Sequence, residues 1–357
     1  MARIDLDLAH AYKAAPRSEA DYALLPLKMS FRDGGAYALL GPSGCGKTSM
    51  LNIISGLITP SQGSVCFDGV DITAQSPQQR NIAQVFQFPV IYDTMTVFDN
   101  LAFPLRNRGQ PPDKIKHRVG QIAEMLEMSH QLNLRAAGLA ADQKQKISLG
   151  RGLVRDDVSA VLFDEPLTVI DPHLKWQLRR KLKQIHQELK LTLIYVTHDQ
   201  VEALTFAEEV VVMTRGKAVQ IDTPEALFER PAHTFVGHFI GSPGMNFLPV
   251  RHHAQHLQVG TQTLACSIPG LPHGDLKLGI RPEYLHLCDA QSIGALSARV
   301  RHVQDLGTCL MLTCEAEGVV VKCKWPAAQA TPSPGAPIYL QVLGPHTCFY
   351  RDEELVA

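Results

Sequence analysis

The chain has 357 residues, a formal charge of −1 from 34 basic and 35 acidic residues, and 45 % hydrophobic residues. That length allows two domains with full cores. The charge balance gives no ground for a nucleic-acid partner, and apolar runs such as 36–40 and 160–163 are too short to cross a bilayer.

Residues 1–7 carry acidic side chains and no apolar export core, so they are not read as a signal peptide. Together with the short apolar runs, this predicts a soluble chain. The eight cysteines contain no CxxC pair. They read as small buried thiols of a reducing cytosol rather than as disulfides or metal ligands.

An apolar run at 36–40 leads into Gly41-Pro42-Ser43-Gly44-Cys45-Gly46-Lys47-Thr48, and a helix is expected over 47–55, closed by Gly56. This is GxxxxGK[ST] in the strand–loop–helix context it needs. Its glycines let successive backbone N–H groups turn toward an anion, and the helix N-terminus adds positive potential. Lys47 would reach the β- and γ-phosphates of ATP, and Thr48 would offer its hydroxyl to Mg²⁺. Ser49, next on the helix, belongs to the same nucleotide-binding set. Downstream, the buried strand 160–163 delivers Asp164-Glu165. Ligands of parallel sheets collect at that edge, so Asp164 is expected to hold Mg²⁺ and Glu165 to orient or deprotonate the attacking water.

Strands and helices alternate to about residue 240, the pattern of a parallel-sheet α/β domain. Leu174, Leu178, Leu182, Ile185 and Leu189 recur at helical spacing over 173–190, with Lys and Arg between them as the solvated side. A buried strand over 191–196 then leads to Thr197-His198-Asp199. Beyond Gly241-Ser242-Pro243-Gly244, short alternating segments broken by Gly and Pro predict a small all-β domain of six or seven strands over 245–357. His252, His253 and His256 have no carboxylate or thiol close in sequence and read as a polar surface loop rather than a metal site.

Taken together, these segments resemble the nucleotide-binding subunit of an ATP-binding-cassette (ABC) transporter. Val85-Phe86-Gln87 is similar to the family's glutamine loop, Thr168-Val169-Ile170-Asp171 to its aspartate loop, and Val196-Thr197-His198-Asp199 to its switch-histidine segment. Tyr12 falls where the family stacks an aromatic ring on adenine. Gly241 to Leu248 and Gly279-Ile280-Arg281-Pro282-Glu283 look like the junction and β domain of carbohydrate-importer ATPases of the maltose and glycerol-phosphate type. Residues 167–176 and the altered signature look closest to subunits of glycerol importers.

The resemblance implies an α/β P-loop domain over 1–240 and an OB-like β-rich domain over 241–357, the latter regulatory or dimerising. It implies two cassettes that sandwich ATP head to tail, with Gln87 also near the metal and Asp171 near the nucleotide. Glu165, His198 and Lys47 would be catalytic. The partners implied are integral membrane permease subunits at the cytoplasmic face of the inner membrane, a second cassette ATPase and, indirectly, a solute-binding protein; nucleic acid is not among them. The cargo class is a small polyol, sugar or sugar phosphate.

The family signature reads Leu-Ser-Gly-Gly-Gln, whereas this chain has Leu139-Ala140-Ala141-Asp142-Gln143. The serine hydroxyl and both glycines are gone. If Ala140, Asp142 and Gln143 meet the opposing nucleotide, Asp142 sets a carboxylate against its γ-phosphate; alternatively, Asp142 caps its own helix. The first reading favours a heterodimer with a cassette of intact signature over a homodimer. Two other classes compete, namely a soluble cassette ATPase unconnected with transport and a nucleotide-binding assembly subunit of little turnover. The single cassette with its β tail speaks against the former, and the full set Lys47, Thr48, Asp164, Glu165 and His198 against the latter.

Overall fold

The computed structural model describes residues 2–168 and 170–357. By internal contacts the chain divides into two compact units, Met1–Pro224 and Glu225–Ala357.

In the first unit a six-stranded sheet runs in the order Lys217–Asp222, Glu209–Thr214, Ala36–Leu40, Leu193–Thr197, Val161–Asp164, Ala83–Val85. All neighbours are parallel except the hairpin at one edge. Ala36–Leu40 and Leu193–Thr197 are buried throughout, as expected of strands covered on both faces. Helices Lys47–Ser55, Pro172–Leu189 and Gln200–Phe206 follow strands of this sheet. Helices Val97–Arg106, Pro112–Met125 and Ala141–Leu153 pack on one another.

The α/β reading did not foresee a second, antiparallel sheet in this unit, in the order Tyr22–Phe31, Ile4–Ala11, Gln62–Phe67, Val70–Asp71. Its central pair joins Ile4–Ala11 to the distant Gln62–Phe67, which no local signal announces; only the Asp68-Gly69 turn ahead of Val70–Asp71 carried a hairpin signal. It shares one core with the main sheet, including Ile4, Leu6, Leu8, Leu39, Ile53 and Val196.

The second unit holds eleven strands in two antiparallel sheets, more than the six or seven expected. Several are only two to four residues long, too short for alternation to register. Its core includes Leu248, Leu278, Leu312, Leu340 and Phe349. The sequence reading also set the boundary at 240, whereas the contacts divide the chain after Pro224. Residues 225–240 are tied to the second unit by Tyr350, whose hydroxyl donates to the Pro231 carbonyl, and by Arg281, 1 % exposed, whose guanidinium donates to the carbonyls of Leu227, Phe228 and Ile240 and lies 4.0 Å from the Phe228 ring. His252 corrects another expectation: it is buried, its Nδ1 3.0 Å from the Pro272 carbonyl oxygen and its ring stacked on His273. Only His253 and His256, at the turn, are exposed. All eight cysteines are free thiols, and burial pushes Cys314 up to about 11 and Cys323 up to about 12. Among the described residues no helix is long and apolar enough to cross a membrane.

Candidate functional site

The parallel strands deliver their C-terminal ends to one edge, and the predicted chemistry gathers there. After Ala36–Leu40 the chain turns through residues 41–46 into helix Lys47–Ser55. Gly41 approaches its neighbour so closely that a Cβ would lie 2.2 Å from the Met213 carbonyl oxygen, and Gly46 has φ +101° with the Ala23 carbonyl oxygen 2.4 Å from any Cβ. Neither position admits a side chain. Lys47 is 5 % exposed and donates to the carbonyls of Gly41 (2.8 Å) and Pro42 (3.0 Å), which holds its ammonium across the mouth of the loop. Cys45 is buried beneath it, and burial pushes its thiol up despite the nearby Lys47 charge.

Asp164 ends strand Val161–Asp164 and accepts from Thr48 Oγ1 at 3.3 Å. Burial raises its pKa against the opposing effect of the Thr48 bond, and the neighbouring Glu165 charge raises it further. Desolvated carboxylates beside a phosphate-binding loop are a recurrent mark of functional sites. Thr48 hydroxyl and Asp164 carboxylate are both hard oxygen donors, suited to Mg²⁺ completed by phosphate oxygens and water.

Glu165 has φ +46°, a left-handed conformation that costs a non-glycine residue energy and here redirects the side chain as the strand ends. Its carboxylate Oε2 lies 3.1 Å from His198 Nδ1 and accepts from Thr168 Oγ1 at 3.3 Å. His198 follows strand Leu193–Thr197 and is fixed from both sides. Thr197 donates to the buried Glu202 (2.8 Å), and Asp199 caps helix Gln200–Phe206 by accepting from Val201 and Glu202 N–H. Glu202 also accepts from Tyr195 OH at 3.0 Å. Thr197 and Asp199 belong to the expected switch-histidine segment, but Glu202 and the bonds it accepts escaped the sequence reading.

Tyr12, Ser43, Gly44, Gly46, Lys47, Thr48, Ser49 and Glu165 line one open cavity of about 400 Å³. This falls within the roughly 300–1,000 Å³ of small-molecule sites. Tyr12 is 66 % exposed, yet its hydroxyl shares a 2.8 Å hydrogen bond with Ser49 Oγ.

The remaining predicted residues lie outside that lining. Gln87 follows strand Ala83–Val85, which pairs with Val161–Asp164, and so leaves the same sheet edge. Exposed Phe86, Phe88, Val90 and Tyr92 surround it. Asp171 caps helix Pro172–Leu189, accepting from His173 N–H at 3.0 Å; Val169 of the same segment lies outside the described residues. Ala140 is the N-cap of helix Ala141–Leu153, and its N–H is taken by Gln143 Oε1 at 3.2 Å. Asp142 is therefore the second helical residue and not the cap, because the cap position falls on Ala140, whose methyl accepts nothing. Asp142 lines a different cavity of about 370 Å³ with Lys146, Trp176 and Arg180. Gln145, missed by the sequence reading, is fully buried and donates to the Pro166 carbonyl at 2.6 Å, tying this helix to the turn after Glu165.

The geometry agrees with the comparisons. The family profile described as ABC transporter matches residues 24–168, and that described as TOBE domain matches 278–348. The sn-glycerol-3-phosphate import ATP-binding protein of Psychromonas ingrahamii is 37 % identical over 310 residues, covering 87 % of this chain and 82 % of that one. The trehalose import ATP-binding protein of Mycobacterium tuberculosis is 40 % identical over 334 residues, covering 89 % and 84 %. A Clostridium perfringens protein that is part of an ABC transporter complex superposes with TM-score 0.58 at 24 % identity, over 64 % of this chain and 90 % of that one, which supports the fold alone. A complete phosphate loop, the paired carboxylates with their histidine, and relatives matching over most of their length lead to one conclusion: the chain belongs to the ABC transporter family and is an importer ATPase with an ATP-binding cassette followed by a TOBE domain.

Proposed function

We propose that this ATPase powers uptake of a small polyol, sugar or sugar phosphate, with glycerol or glycerol 3-phosphate favoured, from the cytoplasmic face of the inner membrane. Relatives named for import of sn-glycerol 3-phosphate and trehalose support the cargo class. The observation that carries the catalytic reading is the contact between Glu165 and His198 at the cavity lined by Lys47 and Thr48.

In this reading Lys47 releases the Gly41 and Pro42 carbonyls and turns to the β- and γ-phosphates, while the loop amides of residues 43–48 take the remaining oxygens. Thr48 and Asp164 hold Mg²⁺, with Gln87 close by; the bound cation supplies charge neutralisation on the transferred phosphoryl group. Glu165 orients water and accepts its proton as the new oxygen–phosphorus bond forms and ADP leaves. His198, already paired with Glu165, steadies that carboxylate and reaches the γ-phosphate. Tyr12 offers its open face to adenine, and Asp171 lies near the nucleotide once two cassettes close. Positioning and charge stabilisation account for most of the rate in such sites.

Permease subunits dock on the exposed aromatic stretch around Gln87, where Arg151 lies 4.7 Å from the Tyr92 ring and donates to the Val90 carbonyl. A solute-binding protein acts through them. The missing hydroxyl at Ala140 and the carboxylate of Asp142 favour pairing with a second cassette of intact signature. The site made by Ala140, Asp142 and Gln143 would then bind nucleotide and turn it over slowly.

The test is reconstitution of this chain with membrane subunits and a solute-binding protein in vesicles. ATPase stimulated by glycerol or glycerol 3-phosphate supports the reading. Stimulation only by an unrelated solute refutes the cargo, and turnover unaffected by membrane subunits refutes the coupling.

A further inference from the structure

His10 is 6 % exposed, and neither ring nitrogen has a hydrogen-bond partner. Burial lowers its pKa. Leaving an imidazole buried and unpaired costs free energy that an apolar residue at the same place would avoid. Such a group calls for a reason beyond filling space.

Its position supplies one. Along Ile4–Ala11 the residues Ile4, Leu6 and Leu8 share one face and enter the core, and period-two alternation carries that face to His10 and Tyr12. The pairing with Tyr22–Phe31 slips twice at this point, between Leu8 and His10 and again between His10 and Ala11. Irregularities of this kind re-aim side chains near active sites. The His10 ring packs perpendicular to the Tyr12 ring, with centroids 4.7 Å apart at 84°. The Tyr12 hydroxyl is meanwhile tied to Ser49, on the helix that starts at Lys47. An aromatic ring that is two-thirds exposed and lines the cavity is thus held by the buried His10 ring on one side and, at its hydroxyl, by the phosphate-loop helix.

We propose that His10 is a positioning residue for recognition of the base: by buttressing Tyr12 it presets the ring for stacking, so it governs affinity for the nucleobase end of ATP and not for its phosphates. The proposal rests on Tyr12 being the base platform. A loose tyrosine would have to be ordered on binding, whereas this one is ordered beforehand.

The test is displacement of a ribose-labelled fluorescent ATP analogue from the full chain with Mg²⁺, by ATP and by inorganic tripolyphosphate, which has no base. His10→Ala should weaken ATP about 2- to 12-fold, the range contributed by aromatic pairs. Tripolyphosphate should be unaffected. His10→Phe, which keeps a ring and removes the orphaned nitrogens, should restore ATP binding. Tyr12→Ala should weaken ATP by about 5- to 150-fold, as loss of base stacking does, again sparing tripolyphosphate. ATP binding unchanged in Tyr12→Ala would overturn the platform reading and the proposal with it. With Tyr12→Ala behaving as expected, the buttress alone is overturned in any of three cases: unchanged ATP binding in His10→Ala, equal loss of ATP and tripolyphosphate, or no rescue by His10→Phe.

Discussion

Replacing Asp142 by Asn removes one charge and keeps the shape, and it tests whether the altered signature hinders pairing of two copies. Asp142 is the second residue of helix Ala141–Leu153 and half-buried. A carboxylate there, set ~4 Å from an opposing γ-phosphate charge in an effective dielectric of ~20, is repelled by about 4 kcal/mol. Lys146 lies one turn further along and lines the same cavity; it is present in both forms, so its attraction to that phosphate cancels in the comparison. About 4 kcal/mol is a factor of about 10³ per site. A symmetric pair contains the contact twice, so the dimer constant should change by up to about 10⁶. Sedimentation of the Glu165→Gln form with ATP, with and without Asp142→Asn, measures this directly. The difference should shrink as salt is raised, because the group is partly exposed. If Asp142→Asn dimerises no better than its parent, or the unaltered chain alone forms a tight, cooperative and fully active dimer, the electrostatic argument for an unequal partner fails.

Three further outcomes follow from the site and its surroundings. Glu165→Gln should retain ATP and lose about 10²–10⁴ in turnover; turnover equal to the parent in a phosphate-release assay would remove Glu165 from catalysis. Asp164 has a folded-state pKa above its unfolded value, so its charge destabilises the nucleotide-free fold above the carboxylate range and the penalty disappears as acid protonates it in both states. Asp164→Asn should therefore melt higher than the parent at neutral pH, converge with it in acid, and lose stabilisation by MgATP; equal melting at all pH values would contradict this. Arg281→Met strips the donor from three buried carbonyls, each of which costs about 1–3 kcal/mol when unpaired. Urea unfolding followed through Trp325 in a Trp176→Phe background should show the second unit weakened by roughly 3–5 kcal/mol, and an unshifted midpoint would refute the role given to Arg281.

The parts legible in the sequence are those written in contiguous residues. The phosphate loop, Asp164-Glu165 and Thr197-His198-Asp199 each sit at the end of an apolar run, and a parallel sheet brings such ends to one edge whatever their separation along the chain. What stayed hidden depends on partners far away or on backbone conformation. The antiparallel sheet joins residues 4–11 to residues 62–67. The support of His198 by Glu202 requires knowing that Thr197 turns inward. Asp142 was misplaced as a possible cap because the helix begins two residues earlier than a capping preference would set it.

The buried Gln145 connects these two classes of information. The sheet edge holds everything needed to grip a triphosphate, but the signature residues 140–143 do not line that cavity. Helix Ala141–Leu153 nevertheless bonds directly, through Gln145, to Pro166, the residue after Glu165. Glu165 itself sits in a costly left-handed conformation whose carbonyl accepts from Thr168 Oγ1. Strain at such a position persists only where the surroundings over-determine it, and Gln145 is one of the groups that do so. In the reading proposed above, a displacement of the signature helix would reach the turn that aims the Glu165 carboxylate through this bond. The altered signature and the turn carrying Glu165 are thus joined by a direct hydrogen bond within this chain.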